Sequence, residues 1–356
     1  MTTIAIEIND VGLEAAADSG LVGNASPGYV LLDRRRFISG EAAAAQARLR
    51  PRFVSHRHWD LLSRQFAGRP FPRGLSHADL VHAHLSQYWE VLLDTLHTTT
   101  ASASVLLAVP ASYSLDQLSL LLGITRAAEI PVTGLVDSAL AASVGTPLDG
   151  PTLHLDIRLH RAVWTVLEPG GHVARTRVAS VESAGLQSFR SAWVHRVAEH
   201  FVRETRLDPL HRGATEQTLY DQLDDWASEV ERAGAAPLSI GTAEQERTVE
   251  ISSSQLAAAT TREADAVLEG AQGLLGGQDG YTVHVSARVA GIPGLLDRLA
   301  ELSPTDPIQL PAAAAARGAL ERRQGIEAPG SQLRLITDLP MPKTPASATP
   351  VPQPHG

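Results

Sequence analysis

The chain of 356 residues contains no cysteine, which excludes disulfides, thiolate metal sites and cysteine nucleophiles together and fits a reducing compartment. It also has no excess of positive charge. Thirty Lys and Arg against 39 Asp and Glu leave a net −9, so broad adhesion to nucleic acid or anionic lipid is not expected. The short basic run Arg34-Arg35-Arg36 does not reverse that balance. No stretch approaches the ~20 consecutive apolar residues of a membrane span, and Met1 to Asp10 has no basic region leading into a long apolar one, as a signal peptide would. A cytoplasmic location, without membrane insertion, is therefore the expectation. Short-period repeats are missing as well. The length and the 44% hydrophobic content predict two core-bearing units, or one two-lobed unit.

What is present reads as alternating strands and helices. Ile4, Ile6 and Ile8 alternate with Ala5, Glu7 and Asn9, predicting a strand that runs into a polar turn at Asn9-Asp10-Val11-Gly12. Tyr29 to Asp33 predicts a second strand or hairpin, followed by an alanine-rich helix over 42–45. From His77 to Leu96 the apolar residues recur at helical spacing. Val105 to Val109 is a continuous apolar strand halted by Pro110, Ser114 can cap the next helix, and Ile130 to Leu135 returns as a strand. Asp137 or Ser138 can cap the small-residue helix 139–144. The second half restarts the same order. Strands are predicted at 152–157, 162–167, 248–251, 281–286 and 333–336, with helices at 187–205, 216–230, 254–275, 293–302 and 312–323. Six prolines in residues 340–356 predict an extended, flexible tail.

This order, together with several local matches, resembles the nucleotide-binding domain of the seventy-kilodalton heat-shock chaperones, within the actin, sugar-kinase and heat-shock superfamily. Val109-Pro110-Ala111-Ser112-Tyr113-Ser114-Leu115-Asp116-Gln117 is similar to that family's Val-Pro-Ala-Tyr-Phe-Asn-Asp-Ser-Gln segment. Val136 to Ala142 looks like its crossing helix, and Ser26 to Val30 followed by Gly40 to Ala47 resembles its Pro-Ser hairpin and Gly-Glu-Ala-Ala-Lys-x-Gln helix. His200-Phe201-Val202 matches the end of a further helix. The resemblance covers residues 4 to 325. It implies an α/β, actin-like ATPase (ribonuclease-H-like) fold of two lobes, each with a mixed sheet flanked by helices. Lobe I spans 1–150 with an insertion at about 26–100, and lobe II spans 151–339 with an insertion at about 207–275.

The family's nucleotide chemistry needs glycine-rich turns, because phosphate oxygens approach backbone N–H groups where a Cβ would intrude. Here those glycines are replaced. The first phosphate turn, Asp-x-Gly-Thr-Thr in the family, falls on Glu7-Ile8-Asn9-Asp10-Val11. The second, Asp-x-Gly-Gly-Gly-Thr, falls on Asp156-Ile157-Arg158-Leu159-His160-Arg161, so three glycines become large side chains. The adenosine turn falls on Ala287-Arg288-Val289-Ala290-Gly291-Ile292-Pro293. The family's phosphate-contacting lysine falls near Trp59, its adenosine-contacting Glu and Lys near Asp224 or Asp225 and Ser228, and its water-positioning glutamate on Val136 beside Asp137.

The resemblance thus assigns Glu7, Asn9, Asp10, Asp156, Arg158, His160, Arg161, Arg288 and Gly291 to a degenerate nucleotide cleft with no catalytic residue and no resident cofactor. Glu7 and Asp156 occupy the family's magnesium positions. Either Arg158, Arg161 or Arg288 neutralises them in a salt-bridge cluster, or they hold a metal. Arg158 and Arg288 are expected to fill the nucleotide volume. His56 with His58, and His77 with His82 and His84, are imidazole pairs open to a metal role or to a solvated or core-edge one. Gly276 to Gly280 reads as a turn after a helix and not as a phosphate loop.

The expected function is that of a heat-shock-like, actin-like protein without catalysis and without a peptide-binding domain, acting through a protein partner as an interaction or assembly factor. Two alternatives stand beside it. One is an ATP- and magnesium-binding ATPase or small-molecule kinase whose arginines replace the glycine-turn contacts. The other is an actin-like scaffold for secretion or pilus assembly.

Overall fold

A computed structural model describes residues 1–340 except 70, 147, 149, 242–245, 276–279 and 329–332. The N-terminal half supplies β1 (Thr2–Glu7), β2 (Glu14–Ala17), β3 (Gly20–Leu21), β4 (Val30–Asp33), β5 (Arg36–Ser39), β6 (Val54–Ser55), β7 (Ala103–Val109) and β8 (Val132–Asp137). The C-terminal half supplies β9 (Thr152–Ile157), β10 (Ala162–Pro169), β11 (His172–Val181), β12 (Ala235–Ile240), β13 (Arg247–Ser252), β14 (Thr282–Val285), β15 (Ile308–Gln309), β16 (Leu335–Ile336) and β17 (Asp338–Pro340).

Twelve of these strands build two six-stranded mixed sheets, in the orders β3-β2-β1-β7-β8-β16 and β17-β11-β10-β9-β14-β15, and the other five form the small sheets β5-β4-β6 and β12-β13. One plan is used twice. β1 lies antiparallel to β2 and parallel to β7, and β9 lies antiparallel to β10 and parallel to β14. In each sheet a meander on one side meets parallel, helix-connected strands on the other. The continuous apolar run of β7 is buried at every position, as expected for a strand covered on both faces.

The two faces of the first sheet carry different residues, and the difference determines what packs there. Ile4 and Ile6 of β1 point into a core closed by the helices His77–Thr95 and Leu115–Ala127. Ala5, Ala16 and Ala108 point the other way, toward the short helix Ser138–Ala142 and the helix Ala314–Glu321. Small side chains on both partners let these two helices cross almost in backbone contact. At Gly318 an added Cβ would fall well inside contact distance of the Ala141 carbonyl oxygen. The larger core of the second half packs Trp164, Phe189, Trp193 and Phe201 between its sheet and the helices Leu186–Thr205, Gly213–Ala233 and Thr261–Leu275.

The capping residues act as their sequence suggests. Ser114 accepts from the Gln117 amide while the Gln117 side chain accepts from the Ser114 amide, and Asp137 accepts from the amides of Ala139 and Leu140. Other expectations are corrected. The stretch 254–275 is two helices, Ser253–Ala259 and Thr261–Leu275, interrupted at Thr260, whose hydroxyl bonds back to the Leu256 carbonyl. The helix expected over 293–302 is shorter, Leu295–Ala300, and a four-residue helix, Ala287–Ala290, precedes it, with Pro293 and Gly294 between the two. The strands β2 and β12 carry no local signal that predicts them. β16, from the far end of the chain, pairs with β8 and so completes the first sheet from outside residues 1–150. Pro340, placed in the tail by composition, pairs with His172 at the end of β17; residues 341–356 lie outside the described residues. Among the described residues no helix is long and apolar enough to cross a membrane.

Candidate functional site

The repeated topology brings the ends of β1 and β9 face to face, and Arg288, in the helix that follows β14, lies between them. Its Nη1 donates to Glu7 Oε1 at 2.7 Å and lies 3.4 Å from Asp156 Oδ1, while its Nη2 bonds Glu14 at the start of β2. Three carboxylates from two sheets therefore meet one guanidinium. Burial raises the Glu7 pKa above its ordinary value, the neighbouring Asp156 and Glu14 carboxylates add to the rise, and Arg288 opposes it. Burial alone would lower the Arg288 pKa, but the three carboxylates outweigh it and hold the charge in place. Asn9 adds a second tie: its Nδ2 donates to Asp156 Oδ2 at 2.8 Å, and its Oδ1 accepts from the Val11 amide at 2.9 Å.

A second polar cluster adjoins the first. Arg158 is 2% exposed, with Nε 3.3 Å from Asp10 Oδ1 and Nη2 donating to the Tyr113 hydroxyl at 3.3 Å. Asp10 also accepts from the Leu159 amide at 2.9 Å, and its carbonyl accepts from the Gly28 amide at the same distance. A Cβ at Gly28 would stand 2.6 Å from that carbonyl oxygen, so only glycine permits the approach. The Tyr113 hydroxyl in turn donates to the Trp59 carbonyl, and the Trp59 indole donates to His84 at 2.9 Å. Arg161 pairs with Asp60 at 2.6 Å. Burial alone would push the Asp60 carboxyl up, but Arg161 more than offsets it and holds it low. His160 stacks on His56 with ring centroids 5.0 Å apart and accepts or donates across a 3.0 Å contact between ring nitrogens.

Beside Arg288 is a cavity of about 270 Å³, bounded by Glu7, Glu14, His154, Asp156 and Ser286 and by the small residues that begin the helix Ala314–Glu321. His154 is 3% exposed, and neither of its ring nitrogens has a hydrogen-bond partner among the described residues. Burial lowers its pKa to about 4 and keeps it neutral.

The residues expected in one cleft are thus divided among three places. Glu7, Asp156 and Arg288 wall the cavity and Asn9 braces it. Asp10, Arg158, His160 and Arg161 belong to the second cluster. Gly291 is elsewhere, packed against Ser228 of the helix Gly213–Ala233. The expectation that Arg158 and Arg288 together fill the volume is corrected: Arg158 points to Asp10 and Tyr113, and Arg288 leaves open space beside it. Of the three arginines offered as neutralisers of Glu7 and Asp156, Arg288 takes the role. Glu14, Tyr113 and Asp60 were missed as site residues, and His56 was paired with His58 where its contact is with His160, because each meets its partner across a separation with no local pattern.

The remaining family positions carry other contacts. Val136 is core, and Asp137 caps its helix and pairs with Arg175 at 2.8 Å. Asp224 pairs with Arg190. His58 and His84 are buried with ring centroids 6.0 Å apart, and among the described residues no group of three or more metal-ligating side chains is assembled. The turn expected at 276–280 falls on residues that, except for Gly280, lie outside the described residues. Compared with known proteins, the chain matches no protein-family model and no curated protein.

Proposed function

We propose that the chain is a non-catalytic, actin-like protein of the heat-shock type that works in the cytoplasm by holding a protein partner. The repeated sheet order supports the fold part of this reading. The functional part rests on one observation, the bridging of Glu7, Glu14 and Asp156 by Arg288. A magnesium–nucleotide would need those carboxylates for its own metal, and the guanidinium already stands between them and bonds to them. The side chains of Arg158 and His160, where the family has glycine, are engaged with Asp10, Tyr113 and His56 and do not form a backbone cradle. These residues do not fit a bound magnesium–triphosphate.

Calorimetric titration of the full chain with ATP and magnesium tests the reading. The expected result is no binding heat and no thermal shift up to millimolar nucleotide. Micromolar binding lost in Asp156→Asn would overturn it in favour of the arginine-based ATPase or kinase.

A further inference from the structure

We infer that the groove beside β6 docks an acidic, amphipathic segment of a partner protein. This deepens the interaction reading and rests on it, since it names the surface and the chemistry of the partner. The groove encloses about 690 Å³, walled by Val54, Leu61, Phe66, Ala67 and Phe71, with Arg52, Arg57 and Arg69 on its rim.

Two independent features single out this surface. First, the groove carries exposed apolar side chains: of the eleven large hydrophobic residues exposed among the described residues, Leu61 and Phe66 line it, and Leu49 and Phe53 lie close by in the chain. Exposed apolar side chains are ordinary when scattered, but a contiguous set around a concavity marks a contact surface. Second, the charge is inverted. Residues 50–77 hold six arginines and a single carboxylate, Asp60, in a chain whose net charge is −9. Asp60 is already committed to Arg161 and Arg57. Arg52, Arg64, Arg69 and Arg73 are exposed, and among the described residues they form no ion pair.

Unpaired, closely spaced guanidinium groups repel one another, and a carboxylate-bearing ligand relieves that repulsion while gaining forked hydrogen bonds. An aliphatic and aromatic floor asks for apolar anchors on the same ligand. The two demands are met together by an acidic segment with Leu or Phe at helical or alternate spacing. A nucleic acid satisfies the rim and leaves the floor uncovered. A second copy of this chain is acidic overall but offers no comparably apolar, acid-flanked exposed segment among the described residues.

The test uses a fluorescein-labelled 16-residue peptide of Glu and Asp with four Leu or Phe anchors, titrated with the full chain by fluorescence anisotropy. Matched peptides carry Lys in place of the acids, or Ser in place of the anchors. The expected result is binding at least about tenfold tighter than to either control, weakened about fivefold or more as salt rises past the point where the screening length falls below ~5 Å. Arg52→Glu with Arg69→Glu should reduce the affinity about tenfold, and Phe66→Ser should reduce it separately, with thermal melts unchanged in both variants. Equal binding of the lysine peptide, no binding, preference for a single-stranded oligonucleotide or for phosphatidylserine vesicles, or self-association abolished by the same variants would each overturn the inference. Nucleotide binding in the calorimeter would instead overturn the non-catalytic reading, whatever the peptide does.

Discussion

The cleft and the groove both collect arginines, and they use them in opposite ways. Arg288 meets three carboxylates, Arg158 meets Asp10 and Arg161 meets Asp60, so charge in the cleft is spent on joining one half of the molecule to the other. In the groove Arg52 and Arg69 face solvent and, among the described residues, form no ion pair. Paired arginine in a buried setting acts as a fastener whose removal strands its partners. Unpaired arginine on an apolar rim contributes little to folding and remains available to a ligand.

The sharpest way to break this contrast is Arg288→Ala, which strands three carboxylates of which Glu7 is buried. It is expected to lower stability by about 3–5 kcal/mol, read from urea denaturation. Adding Glu7→Gln and Asp156→Asn to the same background should restore more than half of the loss. Little loss in the single variant would mean that the cluster is not a fastener. Next comes Gly318→Ala, which forces a methyl group into the crossing of the two helices beneath the cleft. A cost of about 3 kcal/mol is expected, because the obstacle is backbone and not the tip of a flexible side chain.

A smaller and graded effect follows from acid. Burial holds His56, His154 and His284 at a pKa of about 4 and His84 at about 3, against an unfolded value of 6.5. Between pH 6.5 and 4 the unfolded chain binds protons that the native chain refuses. The stabilising contribution of neutral histidine is therefore complete above pH 6.5 and is lost as the pH falls through that window, with a limiting slope of about 1.4 kcal/mol per pH unit per group. Glu7 and Asp137, both raised by burial, work in the opposite sense, two groups against these four. Denaturation midpoints measured from pH 7.5 down to 4.5 should fall steadily, and His154→Asn should flatten the curve by one proton's worth. The smallest effect belongs to the groove: Arg69→Ser is expected to change stability by less than about 0.5 kcal/mol, and a larger loss would show that this arginine has a structural partner.

What could be read in advance depended on whether the signal was local. The run Val105 to Val109, the strand Thr152 to Ile157 and the amphipathic face of His77–Thr95 each declare their periodicity within a few residues. β2 did not, because Ala15, Ala16 and Ala17 carry no β-branched or alternating signal; the strand exists because β1 offers it a ladder and the crossing helices need small neighbours. In the site, Glu7 and Asp156 were reached through the resemblance, which places them in the family's two phosphate turns. Glu14, which meets Arg288 across 274 positions, and Tyr113, which meets Arg158 across 45, were not, because nothing in a linear pattern encodes such encounters. The division of three candidate arginines among different acids, three for Arg288 and one each, Asp10 and Asp60, for Arg158 and Arg161, is a matter of reach and direction, settled only by tertiary packing.

The pairing of β16 with β8 sets a timetable for biosynthesis. Some 200 residues separate Asp137 from Leu335, and at ribosomal speed that is a delay of roughly 10–40 s. Throughout that interval the outer margin of β8 stands uncovered, able to recruit a neighbouring nascent chain. β16 is among the last described strands to leave the ribosome, and it seals the first sheet to be made.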